Sequence, residues 1–527
     1  MRSPLRVSVT VLAAIALSVG VPSAAGPAKP AQADDKTILH VLNRVAFGAR
    51  PGDVDRVREM GLTTYIERQL HPERIADPQM AEHLAGFVTL NKSSRALADE
   101  YYIPVQRARQ QAKAAAAADP TMSGAPPKTP EQMQLARQER TIVLELSQQK
   151  ILRAVYSERQ LEEVMTDFWF NHFNVFANKG ATQQYLTEYE RDTIRPRVLG
   201  KFRDLLGATA KSPAMLFYLD NWQSADPEAD ARRQQARPRA RALFPRAPAM
   251  PENAARQKRG LNENYGRELM ELHTLGVDGG YTQQDVINVA RAFTGWTIEQ
   301  PRQGGGFRFE PRLHDMGEKI VLGHRIRGGG GQSDGEEVLD ILAKHPATAR
   351  FIATKLVRRF VADTPPQDLV DRAAERFVDT GGDIREVVRV ILTSREFLAP
   401  EAYRAKVKTP FEFVVSAIRA TGSDVRGAEA LVGSVRQLGM PLYLCQPPTG
   451  YADRAEAWVN TGALLNRMNF ALQLVGGRMR GVEPGAAPVA PLLAGQLSET
   501  TAATIAKATD PRQVAALTLG SPEFQRR

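Results

Sequence analysis

The residues of this 527-residue chain best suited to chemistry are histidines and carboxylates in three separate stretches. His172 ends an aromatic run, Glu268 and Glu271 lie in a polar run, and His314 and Asp315 are adjacent further along the chain. Imidazole and carboxylate groups bind divalent metals and carry protons in catalysis. These five side chains predict a divalent metal site on one condition, that the fold brings the three stretches together.

The polar run over residues 262–276 predicts a helix with its carboxylates on one flank. At 100° per residue, Glu268 and Glu271 lie beside an apolar stripe, whereas His273 falls on the opposite flank. The Glu-x-x-Glu spacing differs from the Glu-x-x-His pattern of di-iron bundles. Arg267 is placed for an ion pair with Glu271 four residues later. The run therefore has two interpretations, capping and ion pairs or a partly buried functional carboxylate.

His172 falls on the apolar face of its predicted helix, inside the aromatic stretch 168–174. Burying an imidazole among aromatic rings costs desolvation, so the ring needs a polar partner. Two interpretations remain, a hydrogen-bonded core histidine or a metal ligand and proton carrier. Glu268 and His172 are accordingly the candidate catalytic residues.

The elements that must position these side chains are mainly helices. Apolar residues recur at helical spacing, and glycine or proline marks many of the helix ends. Ser157 and Gln160 have the spacing of a capping box before the helix that carries His172. The later predicted helices cover residues 337–344, 348–361, 368–378, 384–392, 410–420 and 457–474. The sequence thus predicts an all-α fold, a single large multi-helix domain over residues 34–527.

One minor β-hairpin is expected between residues 307 and 322. Phe307 and Phe309 alternate with arginine, and a turn at Gly317 leads to Val321. His314 and Asp315 would lie in the turn of this hairpin.

Two stretches have the composition of low-complexity inserts, residues 111–130 and 224–260. The second contains nine basic and four acidic residues. A solvated surface loop is the simpler interpretation, and contact with a polyanion or an anionic surface is the alternative.

The N terminus has the pattern of a secretory signal peptide over residues 1–33. Arg2 and Arg6 precede an apolar run, and small residues follow it up to Ala33. The run is too short for a stable membrane-spanning helix, and no later stretch is long enough. We therefore expect an exported protein, periplasmic or extracellular, without an integral membrane segment.

Charge and cysteine content narrow the function classes. The net charge is +10, and removal of residues 1–33 takes away three basic residues and no acid, which leaves +7. Much of this positive charge lies in residues 224–260 and is not spread over the domain. We therefore expect no nucleic-acid partner. Cys445 is the only cysteine. It excludes an intramolecular disulfide and is expected to be a buried, inert thiol.

The sequence resembles the bacterial family DUF1800, a domain of unknown function, from about residue 40 to the C terminus. The stretches that carry the resemblance are 168–175, 262–277, 280–285, 293–296, His314-Asp315 with Lys319, 345–349 and 447–451. Members of that family look like exported proteins, and their genes often neighbour those of a second exported family that resembles the alkaline phosphatase and sulfatase fold. The resemblance therefore implies an exported partner of that kind and no established reaction.

Two function classes follow from these observations. The first is a binding or assembly partner of another exported protein, in which the polar clusters form structural networks or a contact surface. The second is a metal-assisted hydrolase in which His172, Glu268, His314 and Asp315 hold the ion or move protons. The sequence favours the first, because no local motif requires catalysis.

Overall fold

A computed structural model describes residues 33–118, 129–228, 260–493 and 495–527. Residues 1–32 of the predicted signal peptide, residues 119–128 of the first predicted insert and residues 229–259 of the second lie outside these ranges. The described chain is mostly helical, with only short strands, so the all-α prediction is confirmed. Its helices bury their apolar faces against one continuous core.

The first part of the chain forms helices α1 to α11. They are α1 (Asp35–Val45), α2 (Asp53–Met60), α3 (Leu62–Leu70), α4 (Gln79–Leu84), α5 (Ser94–Leu97), α6 (Ile103–Ala118), α7 (Pro130–Tyr156), α8 (Gln160–His172), α9 (Leu186–Glu188), α10 (Phe202–Lys211) and α11 (Pro213–Tyr218). Helix α6 extends through the alanine run of the first predicted insert.

The rest of the described chain forms helices α12 to α22. They are α12 (Glu263–Glu271), α13 (Gln283–Ala292), α14 (Gln332–Lys344), α15 (Pro346–Phe360), α16 (Gln367–Asp379), α17 (Ile384–Leu392), α18 (Pro410–Thr421), α19 (Glu429–Gln437), α20 (Thr461–Val475), α21 (Glu499–Ile505) and α22 (Pro511–Gly520). The six later helices predicted from periodicity are confirmed as α14 to α18 and α20.

The predicted β-hairpin was wrong in its pairing. Phe307–Phe309 pairs with Trp296–Ile298, and Lys319–Val321 pairs with His324–Ile326, each antiparallel. A third pair joins Asp424–Val425 to Val482–Glu483. The prediction joined two segments that belong to different ladders, because it overlooked the strands formed by residues 296–298 and 324–326.

The predicted capping box before α8 was also wrong. The Ser157 hydroxyl donates to Asp77 at 2.6 Å and accepts from the Arg159 amide at 3.1 Å. The amide of Gln160 instead donates to the carbonyl groups of Ala154 and Ser157. These side chains fix the corner between α7 and α8, so α8 begins at Gln160 without a side-chain cap.

Helix α8 is anchored deep in the core by its aromatic residues. Trp169 is fully buried, and its indole N–H donates to the Val198 carbonyl at 3.0 Å. Burial on this face leaves His172, at the last position of the helix, among aromatic rings. Within the described ranges, no helix has both the length and the apolar content needed to span a bilayer.

Candidate functional site

A cavity of about 230 Å³ lies where the C-terminal end of α8 meets α15 and the connection between α19 and α20. Its lining combines aromatic side chains with several charged ones. The lining residues are Asp167, Phe168, Asn171, His172, Lys355, Arg358, Arg359, Thr409, Met440, Thr449, Tyr451, Ala452, Asp453 and Arg454. A concave site with convergent polar groups is the usual form of a ligand site.

The end of α8 holds the α19–α20 connection against the cavity. The Asn171 amide donates to the Tyr451 carbonyl at 2.8 Å and accepts from the Tyr451 N–H at 2.7 Å. Asn174 donates to the carbonyl groups of Cys445 and Pro447 at 3.0 and 2.8 Å. These bonds pair backbone groups of the loop with side-chain amides, so the two asparagines hold the loop that carries the lining residues Thr449 and Tyr451.

Helix α15 supplies further residues of the cavity lining. Phe351, Lys355 and Arg358 are spaced by four and three residues, which places them on one helix face. Lys355 and Arg358 both line the cavity. The neighbouring Arg359 is buried and pairs with Glu412 at 2.6 Å, so it faces the core as well as the cavity.

His172 is buried, with 2% of its surface exposed, and both of its ring nitrogens have partners. Nε2 lies 3.1 Å from the His273 carbonyl, and Nδ1 lies 2.8 Å from Lys355 Nζ. Burial, followed by the charge of Lys355, lowers the pKa of His172 well below its usual value. His172 is therefore a neutral, hydrogen-bonded core histidine, and it also contributes to the cavity wall.

The carboxylates of the lining are neutralised by lysines. Asp167 pairs with Lys150, and Asp453 pairs with Lys406, both at 2.8 Å. Neither lysine is among the lining residues. The charge of Asp453 still acts on Lys355 and on Arg358, where it opposes the lowering of each pKa.

Three lining cations have no carboxylate oxygen within 4.0 Å in the described part of the chain. They are Lys355, Arg358 and Arg454. Burial, followed by the charge of Arg454, lowers the pKa of Arg358, and burial, followed by the charge of Arg358, lowers the pKa of Lys355 to about 8. The cavity wall thus brings like charges together. Asp453 and the exposure of Arg454 to solvent offset part of their repulsion, and a bound anion would reduce it further.

Glu268 and Glu271 do not join His172 in a metal site. The carboxylate of Glu271 accepts from the Tyr281 hydroxyl at 3.0 Å. Burial, followed by the charge of Glu271, raises the pKa of Glu268. Arg267 donates to Gln283 at 2.7 Å, so the expected ion pair with Glu271 is absent from the described contacts.

His314 and Asp315 belong to a separate buried cluster. His314 Nδ1 donates to the Thr294 carbonyl at 2.8 Å, and Nε2 lies 3.1 Å from Asp334 Oδ2. Lys319 also donates to that Asp334 oxygen, at 2.8 Å. Asp315 pairs with Arg291 at 2.7 Å. The cluster fastens the Lys319–Val321 strand to the start of α14, a structural role.

The structure does not assemble the metal site predicted from His172, Glu268, Glu271, His314 and Asp315. Both nitrogens of each histidine are already hydrogen-bonded, and Asp315 is held by an arginine. Among the described residues, no group of three or more histidine, cysteine, aspartate or glutamate side chains is placed to hold a metal ion. Separate tertiary neighbourhoods, which spacing along the chain does not reveal, keep these ligand types apart.

Cys445 is free and buried, as predicted. Burial raises the pKa of its thiol to about 11, so the nucleophilic thiolate is scarce at neutral pH. Its carbonyl group, rather than its sulfur, contributes to the site by accepting from Asn174.

Sequence reasoning missed Lys355, Arg358 and Arg454. Basic residues are usually solvated, both on an amphipathic helix, as for Lys355 and Arg358, and in a loop, as for Arg454, so their positions in the sequence gave no reason to select them. One pattern could have indicated them: Lys355 and Arg358 lie on the same face of α15 as the partly buried Phe351, so that face is not fully solvated.

Comparison with known proteins places this chain in a family. Residues 40–526 match the model of DUF1800, a protein family of unknown function, and the chain belongs to that family. No curated protein and no solved structure matched the chain.

Three stretches that carried the resemblance meet at or beside the cavity. Residues 168–175 supply His172 and both asparagines, and residues 447–451 form the loop that they hold. Residues 262–277 contribute the His273 carbonyl that accepts from His172. The cavity is therefore the place where separated parts of the family pattern come together.

Proposed function

We propose that this protein is a binding protein whose cavity receives an anionic group of its ligand. The observation that carries the proposal is the group of three cations, Lys355, Arg358 and Arg454, which lack carboxylate partners in the described structure. The nearby carboxylates Asp167 and Asp453 are each paired with a lysine. An anion would remove the mutual repulsion and form charge-assisted hydrogen bonds.

Inorganic phosphate is a suitable probe for this proposal. A ligand that binds only the folded state raises the free energy of unfolding by RT ln(1 + [L]/Kd), about 2.7 kcal/mol at a hundredfold excess over Kd. Phosphate should therefore raise the melting temperature more than chloride at the same ionic strength, which controls for general screening.

Variants of the arginines locate the binding. Arg358→Gln and Arg454→Gln should each weaken phosphate binding roughly tenfold or more, since a hydrogen bond to a charged group contributes about 1.5–3 kcal/mol. The exposed Arg312, outside the cavity, provides the matched control Arg312→Gln. Equal affinity in all three variants would show that the cavity is not the anion site.

The export and partner predictions extend this proposal. We infer an exported protein from the N-terminal pattern, and a second exported protein of the phosphatase and sulfatase type from the family resemblance. Isolation of the mature chain from the cell envelope, with its first residue determined, tests export. Copurification of a protein of that type with this chain tests the partner prediction. A specific, reversible complex should dissociate when it is diluted.

A further inference from the structure

Lys355 has an unusual position for a lysine. Lys355 lines the cavity, and its Nζ donates to a neutral imidazole, His172 Nδ1, at 2.8 Å. The charge of Arg358 disfavours the ammonium form of Lys355 and lowers its pKa, and the charge of Asp453 acts less strongly in the opposite direction. Lysines that are desolvated or placed beside other cations are the ones that act as nucleophiles in proteins.

The orientation of His172 follows from its hydrogen bonds. A carbonyl oxygen only accepts, so Nε2, facing the His273 carbonyl, must carry the ring proton. The lone pair of the neutral ring therefore lies on Nδ1 and points at Lys355 Nζ. His172 is placed to accept a proton from the lysine nitrogen.

We propose that Lys355 is a nucleophilic amine that condenses with the aldehyde or keto group of an anionic ligand bound in this cavity. The proposal rests on the proposed function for the ligand's anionic group, which Arg358 and Arg454 would hold. The ligand class is thus a small carbonyl compound that carries a carboxylate or phosphate.

The proposed reaction needs no oxidant or reductant. The free amine of Lys355 adds to the carbonyl carbon, which forms an N–C bond and moves the carbonyl electron pair to oxygen. The nitrogen loses its two protons one after the other, each by way of His172 Nδ1 to the oxygen, which leaves as water when the C–O bond breaks and the C=N bond forms. One amine and one carbonyl compound thus give one imine and one water.

The surroundings of Lys355 also supply free amine at neutral pH. Its pKa is about 8 because of burial and the charge of Arg358. An ordinary lysine has a pKa of about 10.4 and is almost entirely protonated at pH 7. Lys355 should therefore present far more of the nucleophilic form than a surface lysine.

Reductive trapping on the unmodified protein tests the proposal without a variant that could fail to fold. The protein is treated with limiting glyoxylate, an aldehyde with a carboxylate, and cyanoborohydride, and each lysine is followed by peptide mass spectrometry. We expect Lys355 to be modified on the order of tenfold or more faster than the exposed Lys507. Modification of Lys355 no faster than of Lys507 would overturn the proposal, even if phosphate binds.

Acetaldehyde separates the reactive amine from the anion site. It has the same reacting group without the charge, so it should label Lys355 more slowly than glyoxylate does. Arg454→Gln should reduce labelling by glyoxylate but not by acetaldehyde. Fast labelling by both aldehydes, unaffected by Arg454→Gln, would support the reactive amine and contradict the proposed anion site.

Discussion

His172 shows how burial and one charged neighbour set the state of a single residue. Its ring is enclosed by aromatic side chains, and its two nitrogens are used by Lys355 and the His273 carbonyl. Protonation would place a second positive charge beside the Lys355 ammonium in a desolvated region. The resting ring of His172 is therefore neutral in the folded protein.

The first prediction concerns the pH dependence of stability. In the unfolded chain a histidine takes up a proton below about pH 6.5, whereas folded His172 stays neutral because its pKa is well below that value. The free energy of unfolding should therefore fall as the pH drops below about 6.5, by about 1.4 kcal/mol per pH unit for this residue. Above that range His172 contributes no pH dependence.

Urea unfolding at several pH values from about 7.5 to 5 measures this slope. His172→Gln should reduce the slope by about 1.4 kcal/mol per pH unit, because the group that takes up the proton is gone. The exposed His324 gives the control His324→Gln, which should keep the wild-type slope. The same slope in His172→Gln as in the wild type would contradict a neutral His172.

At the scale of elements, the cavity depends on how the α19–α20 connection docks onto α8. Gly450 has φ +72°, and a Cβ there would lie 2.3 Å from the Asn171 carbonyl oxygen. Both the positive φ and the close approach require glycine. The side-chain amide of Asn171 completes the docking through its two bonds to Tyr451.

Gly450→Ala should therefore displace the loop and weaken phosphate binding. Gly439→Ala is the matched control, because Gly439 also has a positive φ, +97°, but nothing lies within 4 Å of a Cβ at that position. Both variants incur backbone strain of about 1–2 kcal/mol, while only the first loses affinity for phosphate. Calorimetric titration of both variants checks this, and equal loss of affinity would show that loop docking is not required.

The contact between α12 and α13 is a second feature at this scale. A Cβ on Gly266 would lie 2.8 Å from the Val286 carbonyl oxygen and 3.1 Å from the Ala290 nitrogen, both backbone atoms. The helices can approach this closely only because residue 266 has no side chain. The contact positions α12, which carries Glu268 and leads to His273.

Gly266→Ala should destabilise the fold by roughly 1–3 kcal/mol, since the backbones of the two helices must separate. Gly433→Ala, in α19 with open space around its Cβ, should instead stabilise the fold by about 0.5–1 kcal/mol through helix propensity. Denaturant unfolding of both variants measures the difference. A neutral or stabilising effect of Gly266→Ala would contradict the close contact.

At the scale of the whole molecule, one buried carboxylate joins distant parts of the chain. Glu412, in α18, pairs with Arg359 of α15 at 2.6 Å and with the C-terminal residue Arg527 at 3.0 Å. Its second oxygen accepts from the Thr409 N–H at 2.9 Å and closes the N terminus of α18. Burial alone would raise the pKa of Glu412, but the two arginines outweigh it and lower the pKa to about 2.

Glu412→Gln should lower the free energy of unfolding by about 3–5 kcal/mol, because it leaves two buried arginines without their carboxylate. The exposed Glu401 gives the control Glu401→Gln, expected within about 0.5 kcal/mol of the wild type. Denaturant unfolding at neutral pH measures both. A cost for Glu412→Gln no larger than that of the control would show that the arginines do not depend on this carboxylate.

The pH dependence of this contribution has a defined direction. A carboxylate whose pKa is lowered by folding stabilises the protein above its unfolded pKa, about 4.3, and this stabilisation is lost as the pH falls toward about 2. The difference in the free energy of unfolding between the wild type and Glu412→Gln should therefore shrink as the pH falls across that range. A difference that stays constant with pH would contradict a lowered pKa of Glu412.

The sequence by itself determined the helical architecture and much of its detail. Helices α14 to α18 and α20 follow from apolar periodicity and from glycine or proline at their ends, which are local properties. The burial of His172 also follows from its apolar neighbours along the chain, and that of Cys445 from the behaviour of a free thiol as a small hydrophobic group. The pairing of the short strands did not follow, because it depends on partners outside each segment.

Only the tertiary structure decided which polar residues share a site. His172 and His314 have similar chemistry in the sequence, but one faces Lys355 at a cavity and the other is held by Asp334 in a buried cluster. The cavity cations lie on α15 and in a loop about a hundred residues further along the chain. The sequence determines which chemical groups are present. The electrostatic surroundings that give each group its role arise from packing between distant segments.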